Sequence, residues 1–142
     1  MDKERIAFLK KDYVQGFPAA CGFEVDRVDY GIFESRLRIR QDHSQQDGFV
    51  HAGVISTMAD HTAGYAAYTT VSDAFRILTI EFKINFFKPA VGKDMICRSK
   101  VVNNGKTIKV SESEIFSLTE DQEKLVAKAM VTLIAVPFSN LQ

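Results

Sequence analysis

Gly53-Val54-Ile55-Ser56-Thr57-Met58-Ala59-Asp60-His61-Thr62-Ala63-Gly64-Tyr65-Ala66-Ala67-Tyr68-Thr69-Thr70 is the stretch on which the fold turns. Val54, Ile55, Met58, Ala59, Thr62, Tyr65 and Ala66 recur at helical spacing, which predicts one long helix ending near Thr70. The polar run Gln41 to Gly48 before it reads as a loop. On both sides the period changes to two. Upstream, Phe33, Ser35, Leu37 and Ile39 alternate with Glu34, Arg36, Arg38 and Arg40, the pattern of a half-solvated strand whose arginines form the wet face. Downstream, Leu78, Ile80, Phe82, Ile84 and Phe86 mark one face of a strand, and Met95, Cys97, Ser99 and Val101 mark a second. Residues 107–118 and 124–136 supply two more, with Asn103-Asn104-Gly105-Lys106 and Glu120-Asp121-Gln122-Glu123 as turns of an antiparallel meander. Ile6, Leu9 and Tyr13 predict a short amphipathic helix over 3–15, a lid or brace, before Gly16 and Pro18 interrupt it. The fold class is therefore α+β, because a single long helix has only one face of an antiparallel sheet against which to bury its apolar side.

Composition narrows the function. A chain of 142 residues, 46% of them hydrophobic, can bury one core without disulfides or metals, so residues 1–142 read as a single domain, with 1–20 as an N-terminal helix and connection. Eighteen basic side chains cancel 18 acidic ones, which argues against nucleic acid as a partner. The mixed-charge start Met1-Asp2-Lys3-Glu4-Arg5 resembles neither a leader nor a membrane span, so a cytoplasmic protein with no membrane partner is expected. Cys21 and Cys97 lie far apart among apolar neighbours and read as buried hydrophobes. His43, His51 and His61 do not stand at metal-gathering spacings, and no G-x-S-x-G elbow or glycine-rich phosphate loop is present. No metal and no cofactor is expected.

Two features of the helix carry chemistry. Gly53, Thr57, Asp60, Gly64 and Ala67 follow one another at intervals of four, three, four and three residues, so they form one stripe. All but Asp60 are small, which lets a ligand or a second backbone approach closely at Gly53 and Gly64 and leaves one carboxylate in a narrow place. His51-Ala52-Gly53 lies where the loop becomes the helix. Amides there lack intrahelical acceptors and point outward with the positive end of the dipole, a place able to hold an oxyanion.

Gly48-Phe49-Val50-His51-Ala52-Gly53, followed at Asp60 by an acid, resembles the H-G-G, six residues, D signature of hotdog-fold acyl-CoA thioesterases of the phenylacetic-acid-degradation type. Thr79 to Ala90, closing in Pro89-Ala90, looks like the second landmark of that family, and Asn104-Gly105-Lys106-Thr107 and Lys124-Leu125-Val126-Ala127 resemble the third and fourth. The resemblance implies a hotdog fold, an antiparallel sheet of five to six strands wrapped around one long central helix. It implies hydrolysis of an acyl-CoA thioester, with coenzyme A as part of the substrate. Asp60 takes the place of the family's general base or nucleophile, the Ala52 amide that of its oxyanion donor, and Gln45 that of a residue polarising the same region. Thr79 matches a residue that helps to hold the attacking water, and His51 one that supports the loop. Lys88, beside Pro89, and the Gly105-Lys106 turn are expected near the nucleotide phosphates. Ala52 departs from the usual Gly; an alanine keeps its amide, so the role requires a negative φ there.

Two other activities fit the same fold. A module that binds acyl-CoA without cleaving it needs none of Asp60, Gln45 and Thr79. A hotdog hydratase or dehydratase would want a catalytic His paired with its acid, whereas His51 sits in the thioesterase context. Finally, Ala52 and Asp60 are eight residues apart, about 12 Å along a helix at 1.5 Å per residue, too far for one thioester carbon to touch both. A two-fold dimer with antiparallel helices brings each helix start beside its partner's acid. The resemblance implies such dimers, often paired into tetramers.

Overall fold

The computed structural model describes residues 1–120 and 122–142. Helices α1 (Lys3–Tyr13) and α2 (Gly16–Cys21) precede strands β1 (Phe23–Asp29) and β2 (Ile32–Arg38). The long helix α3 (Ala52–Tyr68) follows, and then come β3 (Phe75–Phe86), β4 (Asp94–Asn104), β5 (Ile108–Thr119) and β6 (Gln122–Pro137). All six strands form one antiparallel sheet in the order β1-β2-β4-β5-β6-β3. The expected meander is β4-β5-β6. Thr119 pairs with Gln122 across its second turn, of which Asp121 lies outside the described residues.

Period-two alternation decides which sheet face meets the helix. Phe33, Ser35 and Leu37 of β2 are fully buried, as are Met95 and Cys97 of β4, Ser113 and Ile115 of β5, and Val131 and Leu133 of β6. Ile55, Met58, Ala59, Thr62, Ala63, Ala66 and Ala67 of α3 are buried against this face. Alanines at four of those seven positions let the helix lie close to the strands. The fold is the hotdog arrangement, six strands curved around one helix.

On the other side of α3, the N-terminal helix acts as a brace. Leu9 and Tyr13 are fully buried, the Tyr13 ring lies 4.9 Å from Phe33 and 4.3 Å from His61, and its hydroxyl bonds Thr62 Oγ1 at 2.9 Å. Tyr65 donates to Asp12 (2.7 Å), and Arg5 donates to the carbonyls of Tyr68 (3.0 Å), the last residue of α3, and Val71 (3.2 Å) just beyond it.

Three expectations need correction. The sequence reading lacked β1, whose period of two is broken by a bulge between Val25 and Arg27 and whose residues are mostly charged; counting it brings the sheet to six strands. Helix α1 ends at Tyr13, before Gly16 as expected, but Gly16 (φ +56) and Pro18 do not prevent a second helix: they open α2, and Pro18 stands in its first turn, where its missing N–H costs nothing. In β3, Leu78 does not share a face with Phe82. A bulge between Thr79 and Glu81 shifts the register, so Leu78 pairs with Ile134 and points away from α3, while Thr79 and Phe82 stand opposite the buried Leu133 and Val131. The arginine row of β2 is a solvated face, with Arg36 paired to Asp26 (3.3 Å) and Arg38 to Asp94 (3.2 Å). No helix among the described residues is long and apolar enough to cross a membrane.

Candidate active site

The loop before α3 is held from below. His43 is buried, with Nδ1 accepting from the Arg40 amide at 2.8 Å and Nε2 donating to the Cys21 carbonyl at 2.7 Å. Its own carbonyl accepts the His51 amide at 2.8 Å, and Val50 donates to Ala90 at 3.1 Å, which ties the helix start to the Pro89-Ala90 segment. The Gln45 side-chain oxygen accepts from the amides of Asp47 and Phe49 and so shapes the loop from inside.

His51 is the N-cap of α3. Its Nδ1 accepts the Gly53 amide at 2.8 Å, and its carbonyl accepts Val54 (3.0 Å) and Ile55 (3.4 Å). The Ala52 amide is the donor left over, without an acceptor among the described residues. Glu120 is the one non-glycine residue with positive φ among them, so Ala52 has the negative φ that its amide needs. Ala52 lines a cavity of about 350 Å³ with Gln45, Phe49, Phe86, Lys88 and Pro89 on its walls. Phe49, Phe86 and Phe87 were missed as wall residues, because nothing in a single sequence separates such a phenylalanine from a core one; adjacency to Pro89-Ala90 was the available signal.

Asp60 stands two turns further along the half-exposed side of the helix. Thr79 Oγ1 donates to its Oδ1 at 2.7 Å, which holds one carboxylate oxygen, while the other has no hydrogen-bond partner among the described residues. The β3 bulge makes this contact possible, since it turns Thr79 to the helix side while Phe82, Ile84 and Phe86 keep that side too. The fourth stripe member, Gly64, faces Leu133 of β6.

The candidate residues thus fall into three places. Gln45, His51, Ala52, Gly53, Lys88 and Pro89 gather at the start of α3; Asp60 and Thr79 meet at its middle. Gly105 and Lys106 line a separate cavity of about 360 Å³ at the far end of α3, with Thr70, Phe75 and the buried Lys109. Lys109 was also missed; its Nζ donates to Asn104 Oδ1 (2.6 Å) and the Gly105 carbonyl (3.0 Å), which fixes the turn.

His61, next to Asp60, donates from Nε2 to the Tyr13 carbonyl at 2.9 Å, and burial pushes its pKa below the ordinary 6.5. A depressed folded value means that the neutral ring stabilises the fold above the unfolded pKa, and that this stability is lost as pH falls through the folded one. The melting temperature is therefore expected to drop between pH 7 and pH 5 by more in the wild type than in His61→Gln. Equal slopes would remove His61 as the source.

A six-stranded antiparallel sheet curved around one long helix defines a hotdog protein. The chain belongs to the thioesterase superfamily, which it matches over residues 47–124. It is 35% identical over 123 residues to a Saccharolobus solfataricus protein that carries the name of an esterase, covering 87% of this chain and 83% of the other. It is 23% identical over 118 residues to the 1,4-dihydroxy-2-naphthoyl-CoA hydrolase of Listeria monocytogenes, covering 83% and 94%. A thioesterase family protein from Silicibacter pomeroyi superposes with a TM-score of 0.88 at 32% identity, covering 92% of this chain and 98% of that one. Hydrolysis of thioesters or esters is the chemistry of this family.

Proposed function

We propose that the protein hydrolyses an acyl-CoA thioester to the free acid and coenzyme A, in sites shared by two subunits. The observation that carries the proposal is the Thr79-bonded carboxylate of Asp60, on the same helix as the Ala52 amide, which the His51 cap leaves without an acceptor among the described residues. In the general-base form, Asp60 takes a proton from water, the water oxygen attacks the thioester carbon, and the resulting oxyanion meets the Ala52 amide and the helix dipole. Collapse breaks the C–S bond and releases the thiolate. In the nucleophilic form, the carboxylate attacks instead and water resolves the anhydride. The thiol is a good leaving group, so neither form asks for a metal or cofactor.

Gln45 and His51 hold the loop that presents Ala52. Gly53 and Gly64 face the His51 ring and Leu133, so the room for the substrate is the cavity that Lys88 and Pro89 line, and Gly105-Lys106 offers a cation to the nucleotide phosphates. The Listeria relative, whose name is that of a CoA-thioester hydrolase, supports this substrate class. A cytoplasmic setting is part of the proposal.

The apolar edge supports the dimer. Strand β3 is an edge strand of 12 residues, and Ile80 (52%) and Phe86 (47%) on it and Phe87 (54%) just past its end are exposed, more than an isolated edge leaves uncovered. Pairing with the same edge of a second copy covers them and sets the two α3 helices side by side; a further pairing of dimers gives the expected tetramer.

Incubation with a panel of acyl-CoA thioesters, with free thiol recorded, tests the activity. Thiol release supports hydrolysis; tight binding without release supports the binding module instead. Within an active protein, Thr79→Ala and Gln45→Ala are each expected to lower kcat by roughly ten- to a hundredfold, less than loss of the carboxylate, because water positioning and carbonyl polarisation are shared with other groups. Damage equal to that of the Asp60 variant would reverse the ranking.

A further inference from the structure

Four of the seven α3 residues buried against the sheet are alanines, and small residues interlock poorly. Past Ile55, Met58 and Thr62, the face is Ala59, Ala63, Ala66 and Ala67, whose side chains contribute little to fixing where α3 sits along its axis. Yet the Asp60 contact with Thr79 tolerates little slip: a shift of about half an ångström takes a bond of 2.7 Å out of the ordinary range.

A buried chain of polar groups crosses from sheet to helix at the residue before Asp60. Ser113 Oγ donates to the Ala59 carbonyl at 2.7 Å, Ser99 Oγ lies 2.6 Å from Ser113 Oγ, and Cys97 Sγ lies 3.5 Å from Ser99 Oγ. A carbonyl can only accept, so the Ser113 proton points to the helix. Ser99 must then donate to Ser113, and the Cys97 thiol to Ser99, which gives the chain one direction. Ser99, Ser113 and Cys97 are at most 2% exposed. Two other serines on β5, Ser111 and Ser117, are equally buried, but their hydroxyls have no partner among the described residues.

We infer that Ser113 is a positioning residue for Asp60. Acting through the Ala59 carbonyl, it sets the axial register of α3 so that the carboxylate meets Thr79, and Ser99 and Cys97 orient its proton. The inference rests on the role of Asp60 under Proposed function. Ser111 supplies a matched control on the same strand, since it is a buried hydroxyl that holds nothing.

The test compares Ser113→Ala with Ser111→Ala in the full chain, each checked for a native melting transition. Ser113→Ala is expected to lower kcat roughly tenfold with KM little changed, because a misplaced group costs turnover rather than binding. Ser111→Ala is expected to leave kcat unchanged. Added to Thr79→Ala, the Ser113 change should cost almost nothing further, since the contact that it supports is already gone. The Asp60 side-chain carboxyl 13C resonance gives a reading independent of turnover: Ser113→Ala should move it in the direction that Thr79→Ala does, and Ser111→Ala should not. A resonance unmoved by Ser113→Ala overturns the inference whatever the activity is. Equal kcat losses for the two serines, or fully additive losses with Thr79→Ala, also overturn it. Full activity in Asp60→Asn would instead sink the function reading, and the resonance would still decide the positioning.

Discussion

Asp60→Asn folds, binds acyl-CoA with near-normal apparent affinity, and loses roughly two to four orders of magnitude in kcat; this is the expected result of removing a positioned base without removing its volume. The amide still fits beside Thr79, whose hydroxyl can donate to the amide oxygen as it does to Oδ1 at 2.7 Å, so the local geometry survives while the proton acceptor is gone. Steady-state kinetics on the substrate found by the thiol panel, with circular dichroism as the fold check, measure it. Near-normal turnover in the folded variant would take Asp60 out of the mechanism, and the start of α3 would then have to act alone.

The second large effect is complementation between two nearly inactive proteins. Asp60→Ala removes the acid and keeps the helix start; Ala52→Pro does the reverse. Proline suits that place, because Ala52 is the first residue of α3 and His51 before it is extended, at φ −61 and ψ 137, as a residue preceding proline should be. The Ala52 amide bonds no acceptor among the described residues, so its loss leaves no internal partner stranded. After subunit exchange by mild denaturation, half of the dimers are mixed, and each mixed dimer has one site with both groups intact. About a quarter of wild-type activity should return. If both parents fold and exchange, yet nothing returns, the shared site is wrong and Asp60 must work with an oxyanion donor of its own chain.

Much of this was legible from local pattern. Alternation in Phe33-Ser35-Leu37 and the helical spacing from Val54 to Ala66 report burial directly, because a strand repeats every two residues and a helix every 3.6. The stripe Gly53-Thr57-Asp60 needed only the same geometry; the resemblance singled out Thr79, but its bond to Asp60 came only with the structure. Period two fails where the backbone adds a residue. The bulge in β1 hid that strand, and the bulge in β3 put Leu78 on the wrong face while leaving Thr79 in the right one for a reason that the pattern could not supply.

By itself, then, the sequence determined the long helix α3, the strands other than β1, the carboxylate and its small-residue stripe, since each depends on neighbours within a turn or two of chain. Tertiary structure alone decided the rest: that β3 travels to the far edge and pairs with β6, that Phe86 and Phe87 wall the cavity at the helix start rather than fill the core, and that Ser113 reaches Ala59 across 54 positions of sequence. These depend on the order in which strands lie side by side. Strand order is set by which long-range pairings bury the most apolar surface together, and no local periodicity encodes that sum.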